Sequence, residues 1–90
     1  MGEFLMKSFD YTLKKKMGIH ARPAALIADR VKFLEDQVVI SYGEKVADAS
    51  KLIDVIGLGA KQGDTVTVTV EGPDEDRVAA EMEVLFKENF

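Results

Sequence analysis

Thr65 to Val70 alternates threonine with valine over its whole length. An extended chain turns successive side chains to opposite faces, so the valines share one face and the threonines the other. A helix would scatter both sets around its circumference, so this segment reads as a strand with one buried face. Ser8–Leu13 repeats the pattern, with Phe9, Tyr11 and Leu13 set against Ser8, Asp10 and Thr12. Gln37–Tyr42 carries the β-branched run Val38-Val39-Ile40 and reads as a third strand. Tyr42-Gly43-Glu44 then turns the chain into a short return strand, Lys45–Asp48.

Between these strands the hydrophobic period lengthens. In Ala21–Leu34, the residues Ala24, Ile27, Ala28, Val31 and Leu34 recur at three- and four-residue steps and form one apolar stripe of a helix. Pro23 fits a helix only in its first turn, which fixes the start at His20–Ala21. Ser50–Leu58 reads as a short helix with Ser50 as N-cap and Gly59 as its stop. After the turn at Glu71-Gly72-Pro73, Asp74 caps a last helix lined by Val78, Met82, Leu85 and Phe86. The order is β-α-β-β-α-β-α. Because each strand has one apolar face, the expected class is α+β: a four-stranded, mostly antiparallel sheet with three helices on one face. Ninety residues suffice for one such domain. Met1–Leu5 reads as a cloning scar, since a second methionine follows at position 6, which leaves a single domain over 6–90.

Composition narrows the chemistry. The absence of cysteine excludes disulfides and thiolate metal sites, and a single histidine argues against a structural zinc site. No apolar run approaches the length of a membrane span, and no secretory segment follows Met1, so the expected compartment is the cytoplasm. The net charge of −4 argues against a nucleic-acid binder. A small RNA-binding α/β module would need stacking aromatics on a sheet face, and Thr67 and Thr69 stand where they would be wanted. The charge is uneven: residues 7–22 carry +4 and residues 71–90 carry −5. The basic end, with Lys14-Lys15-Lys16, either meets an acidic partner or is a solvated face.

The only histidine, His20, lies in Gly18-Ile19-His20-Ala21-Arg22-Pro23-Ala24. At a helix start the free backbone N–H groups point outward, and the helix dipole adds partial positive charge. An imidazole placed there can act as a nucleophile. A phosphoryl group built on it would be held by the same N–H groups. Arg22 supplies a fixed charge that can donate two hydrogen bonds to phosphate oxygens. Pro23 stiffens the first turn, and Gly18 lets the preceding loop fold close. The set fits a reversible phosphohistidine site. The bland alternative is a surface histidine capping a helix.

The heptapeptide at 18–24 resembles the active-site signature of the histidine-containing phosphocarrier (HPr) family of the bacterial phosphoenolpyruvate:sugar phosphotransferase system. The likeness extends over essentially all of residues 6–89, including Leu58-Gly59 and the Gln62-Gly63 turn. It implies an open-faced β-sandwich with strand order 1-4-2-3. It implies that enzyme I phosphorylates Nδ1 of His20 and that the group passes to an enzyme II A-type domain. Arg22 would neutralise the phosphoryl oxygens, with support from Ala21, Pro23 and Gly18. No metal or organic cofactor is implied for the carrier, no nucleic acid or membrane insertion is expected, and it would act as a monomer.

The helix near 50–58 has more apolar residues than one face can bury. Leu52 and Val55 suit the core, which leaves Ile53 and Ile56 outward as a docking patch. The resemblance favours docking by this helix, with Ile53, Ile56 and Leu52 as its candidate residues. Many Gram-positive members of the family carry a regulatory serine at the start of this helix, phosphorylated by a dedicated kinase. That position falls here on Lys51, with Ser50 one residue earlier, so the regulatory role is not carried over and Ser50 is read as an N-cap.

Overall fold

The computed structural model describes residues 6–90, so the expectation for Met1–Leu5 lies outside the described residues. The elements run β1 (Lys7–Thr12), α1 (Ala21–Lys32), β2 (Gln37–Tyr42), β3 (Lys45–Asp48), α2 (Leu52–Ile56), β4 (Thr65–Glu71) and α3 (Glu75–Asn89). The sheet order is β1-β4-β2-β3, and every pairing is antiparallel.

The alternation in β4 sets the register. Val66 pairs with Tyr11, and Val68 lies between Phe9 of β1 and Ile40 of β2. Val70 pairs with Val38 on the same face. Val66, Val68 and Val70 are all fully buried. Burying each contributes roughly 1.5–3 kcal/mol, so a one-residue slip would forfeit an amount comparable to the stability of a small domain. The opposite face is polar, and Thr67 donates to Asp10 at 2.7 Å there.

The helices close the apolar face. Ala24, Ile27 and Val31 of α1 enter the core, with Leu34 packed at its margin. Val78, Met82 and Phe86 line the buried side of α3, which packs on β1 and β4. Phe86 is the hub: its ring meets Phe9, Tyr11 and Phe90 at centroid distances of 6.1, 5.8 and 5.2 Å. α2 packs on α1 and β3. Arg30 of α1 and Glu81 of α3 form a two-pronged ion pair, with Nη2 donating to Oε1 at 2.9 Å and Nε to Oε2. In the β2–β3 hairpin, Tyr42 pairs with Lys45, and Gly43 takes the positive φ (60°) that so tight a turn demands.

Three expected helix ends shift, and a fourth is capped otherwise than expected. α2 begins at Leu52 with Lys51 at the N-cap, and Ser50 caps nothing. Asp48, at the end of β3, intercepts it: its Oδ1 accepts from Ser50 N at 2.9 Å and from Ser50 Oγ at 2.7 Å, a local turn that competes with helix. α2 also stops sooner, with Gly57 at its C-cap. Gly59 redirects the chain two residues later with φ 69°. Asp74 does stand at the N-cap of α3, but its carboxylate makes no cap bond and instead accepts from Arg77 at 3.0 Å. The Asp74 N–H is satisfied from outside the helix by the buried carboxylate of Asp36. α1 ends at Lys32, and Leu34 closes a tighter last turn through its bond to Val31 O.

Candidate functional site

His20 stands at the N-cap of α1 with extended backbone angles, φ −142° and ψ 173°. Its carbonyl already accepts the first helical bond, from Ala24 N at 3.1 Å. Its side chain forms no cap hydrogen bond, so the half-buried imidazole is not spent on holding the helix. Among the described residues the N–H groups of Ala21 and Arg22 have no hydrogen-bond partner, and Pro23 has none to offer. Two oriented donors and the positive end of the helix dipole therefore lie next to the ring. Ala21 and Arg22 are exposed, and Arg22 pairs with no carboxylate among the described residues. An unpaired guanidinium two residues from an imidazole is equipped to hold an anion beside it.

Gly18 holds the loop in place. Its φ is 60°, and a Cβ there would lie 2.6 Å from Ala60 O and 2.7 Å from Lys61 Cα. The close approach allows Ile19 N to donate to Ala60 O at 3.1 Å. The 60–64 segment is fixed in turn by Asp64, whose Oδ2 accepts from Tyr42 OH at 2.7 Å and from Lys61 N at 2.9 Å. The Tyr42 hydroxyl bond, then the Lys61 backbone bond, hold the Asp64 carboxyl below its usual range. Gln62 adds a bond to Lys14 O at 3.0 Å. The loop before His20 is thus clamped by the 60–64 segment, which is distant in sequence.

Two shallow depressions meet at the histidine. One is lined by Lys15, His20, Arg22, Pro23, Leu26 and Asn89. The other is lined by Met17, His20, Ala21 and Arg22. The sequence points to His20, Ala21, Arg22, Pro23 and Gly18, and the structure adds Met17, Leu26 and Asn89 to the site. Leu26 carried a signal: it lies off the buried stripe of α1 and four residues after Arg22, so it shares the outward face of His20's helix turn. Asn89 carried none, since only the packing of α3 brings it there. Met17 and Leu26 are exposed apolar side chains beside the ring.

On α2, Ile53 is 77% exposed and Ile56 36%, while Val55 is fully buried. Leu52 is half-buried against the core, so it offers less surface than the two isoleucines. Ser50 is not brought to the histidine. It lines a separate depression with Asp48, Asp36 and the end of α1. The Ser50 hydroxyl bond, followed by its backbone bond, holds the Asp48 carboxyl below its usual range.

A family model described as the PTS HPr component phosphorylation site matches residues 7–88. A phosphocarrier protein HPr of Lysinibacillus sphaericus is 34% identical over 83 residues, covering 92% of this chain and 94% of that one. One from Mycoplasma pneumoniae is 36% identical over 72 residues, covering 79% and 82%. Among solved structures, an HPr from Thermoanaerobacter tengcongensis superposes with a TM-score of 0.83 at 30% identity, covering 90% of this chain and 91% of that one. The observed strand order and element order agree with that fold. Among the described residues no helix is long and apolar enough to cross a membrane. This chain belongs to the HPr family of the phosphotransferase system, the phosphocarriers that take a phosphoryl group from enzyme I and pass it to enzyme II.

Proposed function

We propose that His20 is the phosphoryl acceptor, that Nδ1 is its reacting atom, and that Arg22 and the N–H groups of Ala21 and Arg22 hold the transferred group. The observation that carries this reading is an imidazole at a helix N-cap that makes no cap bond, beside unpartnered N–H groups and an unpaired arginine. Transfer in is a displacement at phosphorus: the Nδ1 lone pair forms the new P–N bond while the bond to the enzyme I donor breaks. Transfer out reverses the roles, with an acceptor on an enzyme II A-type domain attacking phosphorus and the imidazole leaving. A relay must not bind its cargo in a deep well, and a shallow, open site meets that demand.

The docking face runs from the exposed side of α1 to Ile53 and Ile56 on α2. Its apolar residues and the positive charge of residues 7–22 suit an acidic partner with an apolar centre. The chain acts as a monomer in the cytoplasm, serving sugar uptake and needing no metal or cofactor of its own. Met1–Leu5 stands outside the working domain over 6–90. Lys51 occupies the N-cap of α2 where a regulatory serine would stand, so an HPr-directed serine kinase has no substrate residue at that point. The test is incubation with phosphoenolpyruvate and enzyme I, followed by intact mass. One phosphoryl group is expected on the parent and none on His20→Ala. Equal labelling of the two refutes the assignment.

A further inference from the structure

Lys15 differs from its neighbours Lys14 and Lys16. All three are exposed, but Lys14 and Lys16 make no side-chain bond among the described residues and line neither depression at the histidine. Lys15 lines the depression that holds His20, Arg22 and Asn89. Its backbone is fixed on both sides: Lys14 N and Lys15 N donate to Phe90 O at 2.7 and 2.9 Å, and Lys15 O accepts from Gly18 N at 3.0 Å. The side chain therefore starts from a rigid point and is laid across the end of α3, where Nζ donates to Glu88 O at 2.6 Å. That carbonyl is one of the last four of α3, which have no partner within the helix. No carboxylate neutralises the ammonium among the described residues.

A phosphoryl group near neutral pH carries about −1.5 to −2 charges, and Arg22 supplies one positive charge. The remainder calls for a second cation. A hydrogen bond to a charged phosphoryl oxygen is roughly twice as strong as one to a neutral carbonyl. An ammonium held on Glu88 O, at the wall of the same depression, has a better partner available as soon as His20 is loaded. We propose that Lys15 is a second phosphoryl-holding residue, whose ammonium leaves the Glu88 carbonyl for a phosphoryl oxygen when His20 carries the group. The free carrier keeps the charge parked on α3, and the loaded carrier spends it on the cargo. This rests on His20 being the acceptor.

The test compares the parent with Lys15→Met, Lys15→Arg and Lys14→Met, each equilibrated with enzyme I at one fixed ratio of phosphoenolpyruvate to pyruvate and read by intact mass. An encounter charge changes forward and reverse rates together, whereas a contact with the bound group moves the equilibrium. Lys15→Met is expected to lower the ratio of phosphorylated to free carrier about tenfold, in keeping with the loss of a charge-assisted bond. Lys15→Arg should keep most of it, and Lys14→Met should stay within about twofold of the parent. The protonation of the bound phosphoryl group, followed by phosphorus NMR, should move to higher pH in Lys15→Met and not in Lys14→Met. An unchanged ratio in Lys15→Met, or an equal fall in Lys14→Met, overturns the inference. If the parent is labelled on His20 but the equilibrium ignores Lys15, only this inference falls. If the label is not on His20, the acceptor assignment falls first and takes this inference with it.

Discussion

A serine or aspartate at the N-cap of α1 would turn its oxygen back onto the helix N–H groups and consume them. His20 leaves those of Ala21 and Arg22 free, so in the proposed reading one position supplies both a nucleophile and the donors for what it would acquire. Arg22 is in the first turn, where the helix dipole disfavours a cation, and no carboxylate compensates it among the described residues. The proposed role, holding an anion, would offset that cost. Arg22→Ala should therefore slow phosphotransfer at least several-fold, while the thermal midpoint shifts by less than about 2 °C, as expected for an exposed side chain with no fixed partner. Turnover with enzyme I and a melting curve measure the two sides. At this scale the site was legible because Pro23 permits one helix start and so fixes where His20 must stand. Lys15 and Asn89 were not legible, because nothing local says that the end of α3 returns to the loop before α1.

The elements follow their hydrophobic period closely where that period is long. β2 and β3 have the expected bounds, β4 runs one residue beyond its alternation, and β1 is displaced by one residue. α2 is the exception. A helix of so few turns gains little from its own hydrogen bonds, and the side chain of Asp48 captures Ser50 before the helix can use it. Serine before an apolar run is an N-cap signal only when no closer acceptor competes. The outward face of α2 was legible, because five apolar residues in so short a segment cannot all turn inward. Ile53, at 77% exposure, packs on nothing that a charge would disrupt. Ile53→Lys should leave the fold intact and weaken enzyme I binding by about tenfold, the size of effect typical of a central interface contact. Calorimetry on the variant, with circular dichroism for its fold, checks both. Retained affinity would remove α2 from the docking face.

For the molecule as a whole, two carboxylates outside the reacting group tie distant segments together, and a third fixes a local turn. Glu81 joins α3 to α1 through Arg30, Asp64 joins the loop under the site to β2 through Tyr42, and Asp48 sets the entry to α2. Each is held below its ordinary range, chiefly by the side-chain hydrogen bond it accepts. A carboxylate with a lowered native pKa adds stability above its unfolded value and loses that contribution as pH falls through the native one. Stability should therefore be steady at neutral pH and decline once pH drops below about 4. Asp64→Asn should be less stable at pH 7 and show a shallower decline in acid. Urea midpoints from pH 7 to pH 3 measure this, and an equally steep decline in the variant would contradict the role of Asp64. The Glu81 and Asp64 cross-links join residues far apart in sequence, so no local pattern could announce them. The α+β class and the one-sided sheet needed only the strand alternation.

The central claim is that the carried group sits on one named nitrogen. Nitrogen-15 NMR of the enzymically phosphorylated protein, with the imidazole labelled, tests it most directly. The account predicts phosphorus coupling at Nδ1 of His20. Coupling at Nε2, or a phosphoryl group carried by the protein with no coupling to His20 at all, would contradict it.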